Sequence, residues 1–295
     1  MAIASPSFEF HQCVSLFLDD DEWTMTDTGI TSESLTKEQA IANLQQTTDP
    51  SLQYYAAWWL GRFRVNEPVV IEALLMALAD TQSRSPDGGY PLRRNAARAL
   101  GKLGESAAVP ALIGCLECED YYVREAAAQA LAELGDDTCA APLLQLLAGG
   151  IEAAVKVTGK PHLTQPYTAI IEALGMLGIT EAIPLIQPFL AHEFATVKNA
   201  AARALYQLTG ETQYADRLIG TLQGNSLQLR RSALMDLGAI GYLPAAEAIA
   251  TALTENSLKL IALKGLIDTH VNPTAEPPEL TPRTVEVLLL MDDLL

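Results

Sequence analysis

Basic residues are scarce in this chain. Nineteen Lys and Arg stand against 36 Asp and Glu in 295 residues, a net charge of −17. Neutralising phosphates with cations supplies much of the affinity for nucleic acid, so that partner class ranks low, as does an anionic membrane surface. Long apolar runs are missing too. None approaches 18 residues, so no membrane span is expected. Residues 1–11 lack a basic stretch followed by an apolar one, so no signal peptide is read there and a cytoplasmic location is expected. Cysteine is rare: Cys13, Cys115, Cys118 and Cys139. Cys115 and Cys118 form a C-x-x-C pair, a spacing used for zinc or redox chemistry. A four-ligand zinc site needs two more Cys or His close by, and His162 and His192 lie far off in unrelated contexts. The pair is therefore read as small packing residues in an apolar helical stretch, and no metal is expected. No G-x-S-x-G, phosphate loop or H-E-x-x-H occurs. An enzyme made from this chain works chiefly by positioning its reactants.

What is present is a repeat. RRNAARALGKLG (93–104) and VREAAAQALAELG (123–135) share one pattern with VKNAAARALYQL (197–208) and LRRSALMDLGAIG (229–241). The anchor positions Leu103 and Leu134 are 31 residues apart, as are Leu177 and Leu208; Leu208 to Ile240 is 32. Each copy has a first helix rich in Ala, whose small side chains let a neighbouring helix approach. A glycine suited to the left-handed stop follows, at Gly104, Gly135, Gly178 or Gly210. A proline then falls near the start of a second, amphipathic helix, at Pro110, Pro142, Pro184 or Pro244. One such pair cannot bury its apolar faces alone, and stacking pairs does. The fold class read here is all-α, an α-solenoid of about six HEAT-like repeats.

The pairs are placed at about 50–80, 90–119, 121–148, 166–192, 195–223 and 227–255, with a half repeat over Leu258–His270. Thr36 and Gln39 read as a capping box opening a helix over Lys37–Gln45. Two stretches break the period, 81–90 and 149–165, and read as long loops. The domain organisation read from this pattern is an acidic flexible arm over 1–35, the solenoid over 36–270, and a proline-rich linker with a short C-terminal helix over 271–295. That last helix reads as a cap on the final repeat.

Two features point to binding. Arg93, Arg124, Lys198 and Arg230 recur ten positions before each anchor, so they line one surface; a ligand with carboxylates would suit them. The alternative is pairing within the chain, with acids such as Glu125. In YYAAWWLGRFRV (54–65), Tyr54, Tyr55, Trp58 and Trp59 crowd one helix of a chain that is only 6% aromatic. Adjacent side chains cannot share one helix face, so at least one Tyr and one Trp are expected outside the core. Tyr90, Tyr121 and Tyr122 open the next two repeats.

The blocks QYYAAWWLGRFRV, GGYPLRRNAARALGKLG and CLECEDYYVREAAAQAL resemble the E-type subunit of the cyanobacterial phycobilin lyases, in particular the phycocyanin alpha-subunit phycocyanobilin lyase family. The likeness covers about 36–270. It implies a heterodimer with a homologous F-type subunit that joins phycocyanobilin, through a thioether, to a cysteine of the phycocyanin alpha subunit. The bilin is then substrate, and no resident cofactor is expected. On this reading Arg62, Arg93, Arg94, Arg98 or Arg124 would pair the propionates. Tyr54, Tyr55, Trp58, Trp59, Tyr90, Tyr121 or Tyr122 would stack on the tetrapyrrole. Glu125 is the candidate to hold the pyrrole N–H groups. The nucleophile belongs to the acceptor protein. Two rival readings are the E subunit of a phycoerythrocyanin-type lyase-isomerase and a non-enzymatic phycobiliprotein chaperone or scaffold.

Overall fold

The computed structural model describes residues 35–271 and 280–295. Most of the acidic arm expected over 1–35, and much of the proline-rich linker, lie outside the described residues.

Helix starts follow the local chemistry. The Thr36–Gln39 capping box opens α1 (Lys37–Gln45) as expected, with each side chain bonded to the other's backbone N–H at 3.3 and 2.9 Å. Asp49 caps α2 (Pro50–Arg62), whose first residue is a proline that has no orphan N–H to satisfy. α3 (Pro68–Ala79) and α4 (Pro91–Leu103) begin on prolines as well. α4 and α6 (Tyr121–Leu134) stop at Gly104 and Gly135, where φ of 71° and 68° would strain any side chain. Gly178 and Gly210, expected to act likewise, also have φ of 70°.

The second helices are shorter than the sequence pattern suggests. α5 (Val109–Cys115), α7 (Ala140–Leu147) and α10 (Ile183–Ile186) each follow a 3-10 turn, and α10 runs into another over Gln187–Ala191. Pro110, Pro142 and Pro184 fall in the first turn of these helices, where the missing N–H has no intrahelical acceptor to lose. Between α7 and α9 (Tyr167–Met176), the 149–165 stretch is a loop with one short helix, α8 (Gly150–Ala153), and an isolated bridge from Lys156 to Leu163.

The described residues form two compact units, one of 35–185 and one of 186–271 with 280–295. In the first, the alanine-rich helices α2, α4, α6 and α9 lie side by side in one row, and α3, α5 and α7 back them. The row is tight. A Cβ on Gly61 would sit 2.7 Å from Ala99 Cα, and one on Gly101 would sit 2.8 Å from Ala130 Cα. Glycine at these two places lets backbones touch, which is the physical reason for the small-residue pattern. Ala56, Leu60, Ala96, Leu100, Ala127 and Leu131 are fully buried along the row.

The second unit holds α11 (Ala195–Thr209), α12 (Thr212–Leu222), α13 (Leu227–Ile240), α14 (Ala246–Thr251), α15 (Asn256–Asp268) and α16 (Pro282–Asp292). Leu218, Leu234, Leu237, Ile249, Leu263 and Leu266 make its core. Val287 of α16 is buried in that core, with Leu290, Met291 and Leu294 against it. The last helix thus covers apolar surface that a terminal repeat would otherwise expose.

Candidate functional site

The basic column is the first test of the sequence reading. Arg93 donates from Nε to the carbonyl of Leu78 at 2.9 Å, and its terminal nitrogens lie 3.5 Å from Cys118 Sγ and 3.6 Å from Cys115 Sγ. Arg124 donates to the carbonyls of Cys118 (2.6 Å), Glu119 (3.1 Å) and Thr164 (3.0 Å) and to Gln165 Oε1 (2.9 Å). Arg230 reaches the carbonyls of Gly224 and Leu253 at 2.7 and 3.0 Å. Arg124 and Arg230 thus each tie the segment before their own repeat to the segment after it through backbone carbonyls, while Arg93 ties the last turn of α3 to the Cys115 and Cys118 thiols. Arg93 and Arg124, expected to pair ligand carboxylates, are here engaged within the protein. This engagement also differs from the alternative of pairing with acids, because the acceptors are mostly backbone. Cys115 and Cys118 are buried and face Arg93; burial pushes the Cys115 thiol up, with Arg93 opposing.

Two tyrosines are also taken up by the fold. Tyr90 is 4% exposed. Its hydroxyl donates to Glu119 at 2.8 Å and accepts from Arg84, and the Arg84 and Arg93 guanidiniums lie 4.5 and 5.3 Å from its ring centre. Hydrogen bonding to Glu119 raises the Tyr90 phenol, and the same bond holds the Glu119 carboxyl below its usual range. Tyr121 is half-buried with His162 stacked on it at 4.2 Å and 12°. Burial first, then the Glu125 carboxylate, drives the Tyr121 hydroxyl far above the ordinary phenol range. Neither ring is the open stacking platform that was expected. His162 was set aside as remote in sequence; the 149–165 loop, held by Arg124, brings it back onto α6. The length of that insertion was its only signal.

A second group of the expected residues lies on one face. Tyr55 and Trp58 are 41% and 39% exposed and stacked at 5.5 Å, and Arg62 follows one turn on. Tyr54 sits half-buried beside them, its carbonyl accepting from Asn95 at 2.9 Å. Trp59 turns the other way and packs on Phe63 at 4.5 Å. The glycine contacts fix the register of the row, with Phe63, Leu103 and Leu134 as anchors. Nine and five positions before each anchor stand Tyr54 and Trp58 on α2, Arg94 and Arg98 on α4, and Glu125 and Gln129 on α6. Tyr122, 38% exposed, lies under Arg94 at 5.9 Å. Aromatic, basic and acidic groups thus run in order across three adjacent helices. Such a face can stack on a flat conjugated system, pair carboxylates beside it, and accept from ring N–H groups.

Comparison with known proteins identifies the family. Residues 52–80 and 167–192 match PBS lyase HEAT-like repeats, and 83–156 match HEAT repeats. A phycocyanobilin lyase subunit alpha from Picosynechococcus sp. is 61% identical over 264 residues, covering 90% of this chain and 98% of the relative. A bilin biosynthesis protein PecE from Nostoc sp. is 45% identical over 239 residues, covering 81% of this chain and 88% of the relative. Among solved structures, the complex of CpcE and CpcF of phycocyanin lyase from Nostoc sp. contains a chain 57% identical, with a TM-score of 0.83, covering 92% of this chain and 100% of that one. Among the described residues no helix is long and apolar enough to cross a membrane. An all-helical HEAT-repeat chain matched along nearly its whole length by such relatives belongs to the phycocyanobilin lyase alpha-subunit family.

Proposed function

We propose that this chain is the alpha, or E-type, subunit of a heterodimeric lyase. With an F-type partner it attaches phycocyanobilin through a thioether to a cysteine of the phycocyanin alpha subunit. The observation that carries this reading is the 61% identity over 98% of a phycocyanobilin lyase alpha subunit. The likeness to the bilin biosynthesis protein PecE is lower, at 45%, which favours the phycocyanobilin lyase reading. The neighbouring structure is itself a CpcE–CpcF complex, which supports the F-type partner.

The chemistry needs little from the lyase beyond placement. The acceptor's sulfur adds to the ring-A ethylidene carbon, its proton goes to the tetrapyrrole, and nothing leaves. Holding the two reactants in one geometry removes several kcal/mol from the barrier, with well-oriented cases near ~7–11 kcal/mol. On the α2–α4–α6 face, Trp58 and Tyr55 stack on the conjugated rings, Arg94 and Arg98 pair the propionates, and Glu125 accepts from pyrrole N–H. Tyr121 holds Glu125 from the same helix.

The test mixes the chain, with and without its F-type partner, with phycocyanobilin and apo-phycocyanin alpha subunit. Absorbance and zinc-induced gel fluorescence report the adduct. A covalent product of the right colour is expected only with both subunits, and Trp58→Ala with Arg94→Ala should lower its yield while acceptor binding persists. Tight acceptor binding with no bilin transfer would leave a scaffold instead.

A further inference from the structure

One position in the basic column breaks the rule, and a pocket lies there. Arg93, Arg124 and Arg230 all bond backbone carbonyls of neighbouring segments. Lys198 holds the same place on α11 and makes no side-chain hydrogen bond or ion pair among the described residues. Beside it is a pocket of about 270 Å³, enclosed by the start of α11, by α12, and by the turn into α13. This is where the other arginines reach the turn that follows their repeat.

The lining of the pocket is unusual for this chain. It holds two cations, Lys198 and Arg217, and no carboxylate, although the chain carries a net charge of −17. Arg217 likewise has no ion-pair partner among the described residues. Asn199 lines the same pocket and is 7% exposed. Its Oδ1 accepts from Thr221 at 3.2 Å, while its buried Nδ2 has no acceptor among the described residues. A buried amide N–H without an acceptor costs about 1–3 kcal/mol, so an external acceptor is called for. Ser226, the N-cap of the 14-residue helix α13, forms part of the rim and places the positive end of that helix there.

We propose that this pocket is a binding site for a phosphate-class oxyanion, free or carried as a phosphate monoester. The charges of Lys198 and Arg217 match a dianion, Asn199 supplies an N–H donor, and the start of α13 adds favourable potential. A neutral ligand offers these two cations no charge complement. The site does not rest on the bilin reading, since none of its residues lies on the α2–α4–α6 face.

Inorganic phosphate titrated calorimetrically into the full-length chain tests this, with sodium acetate at matched ionic strength as the comparison. A saturable response to phosphate and none to acetate is expected. Lys198→Met and Arg217→Gln should each weaken it by roughly tenfold. Lys198→Arg guards against a trivial loss through unfolding. Its longer guanidinium fills the pocket and reaches the turn carbonyls, as Arg230 does. It should therefore abolish phosphate binding while the melting temperature is held or raised. Glycerol phosphate distinguishes the sources: binding tighter than inorganic phosphate indicates an ester ligand, weaker binding a free ion. No saturable response in the unaltered chain, an equal response to acetate, or a response that survives both Lys198→Arg and Arg217→Gln overturns the proposal.

Discussion

The two units solve one packing problem in different ways. Four positions before the anchor, the first unit has Ala99 on α4 and Ala130 on α6, each meeting a glycine of the preceding first helix. At the same place in the second unit stands Asp236 of α13, bonded at 3.1 Å to Arg203 of α11. Both ionic side chains are nearly buried, at 10% and 8% exposed. Burial pushes the Asp236 carboxyl up and Arg203 opposes it. One unit brings first helices together by removing side chains; the other fills the seam with a charge pair. The first arrangement tolerates no added atom, and the second tolerates no lost partner.

Removing Asp236 is accordingly the largest effect expected. Asp236→Ala removes the buried carboxylate that Arg203 bonds, and breaking a buried ion pair by deleting one partner costs about 3–5 kcal/mol. Replacing both, as Arg203→Met with Asp236→Leu, should recover most of that loss, because the desolvation cost of both charges disappears. Urea unfolding monitored in both variants decides it. Equal losses would mean that the ion pair is not what holds α11 to α13. The corresponding break in the first unit is smaller. Gly101→Ala puts a Cβ 2.8 Å from Ala130 Cα, and overpacking of this kind costs about 1–3 kcal/mol. Gly114, in α5 with nothing within 4 Å of its Cβ position, is the control. There the same change should stabilise by up to ~1 kcal/mol, through helix propensity alone. A shared sign for the two glycines would contradict the close-contact account.

The arginine column sharpens the comparison from another side. Arg124 carries four hydrogen bonds, two of them to the 149–165 loop. Arg124→Met should destabilise by roughly 1–3 kcal/mol and speed amide exchange at Val157 and Thr164, whose N–H groups bond within that loop. His162 would then lose its seat on Tyr121. The fold was largely legible in the sequence: the period, the capping box at Thr36 and the glycine stops are local signals with local causes. The site was legible only in part. Adjacent aromatics on α2 had to diverge, and Tyr55 and Trp58 do face out while Trp59 packs on Phe63. The partners of the arginine column were not legible, because periodicity marks a shared surface without saying what lies on it; here it is mostly backbone carbonyls. The partners of Tyr90 and Tyr121 were not legible, because Arg84 and His162 come from the two long loops and Glu119 from the turn before α6, whose paths no periodic pattern encodes.

The smallest effect concerns the cap on the second unit. Arg283 of α16 bonds Glu247 of α14 and Glu286 of its own helix, each at 2.7 Å. The bond from Arg283 holds the Glu247 carboxyl below its usual range. A carboxyl depressed in the folded state stabilises above its unfolded pKa, near ~4.3, and that contribution fades as pH falls through the folded value. The pair is largely solvent-exposed, with Glu247 59% exposed, so screening limits it to roughly 0.2–1 kcal/mol. Between pH 6 and pH 3, amide exchange in α16 should therefore quicken slightly relative to α13. The increment should vanish in Arg283→Met and shrink in high salt. Val287, Leu290 and Met291 should keep the helix docked throughout, because their burial does not titrate. If α16 instead detaches outright at pH 3, charge rather than apolar contact holds the cap, and the two units would differ at their ends as well as at their seams.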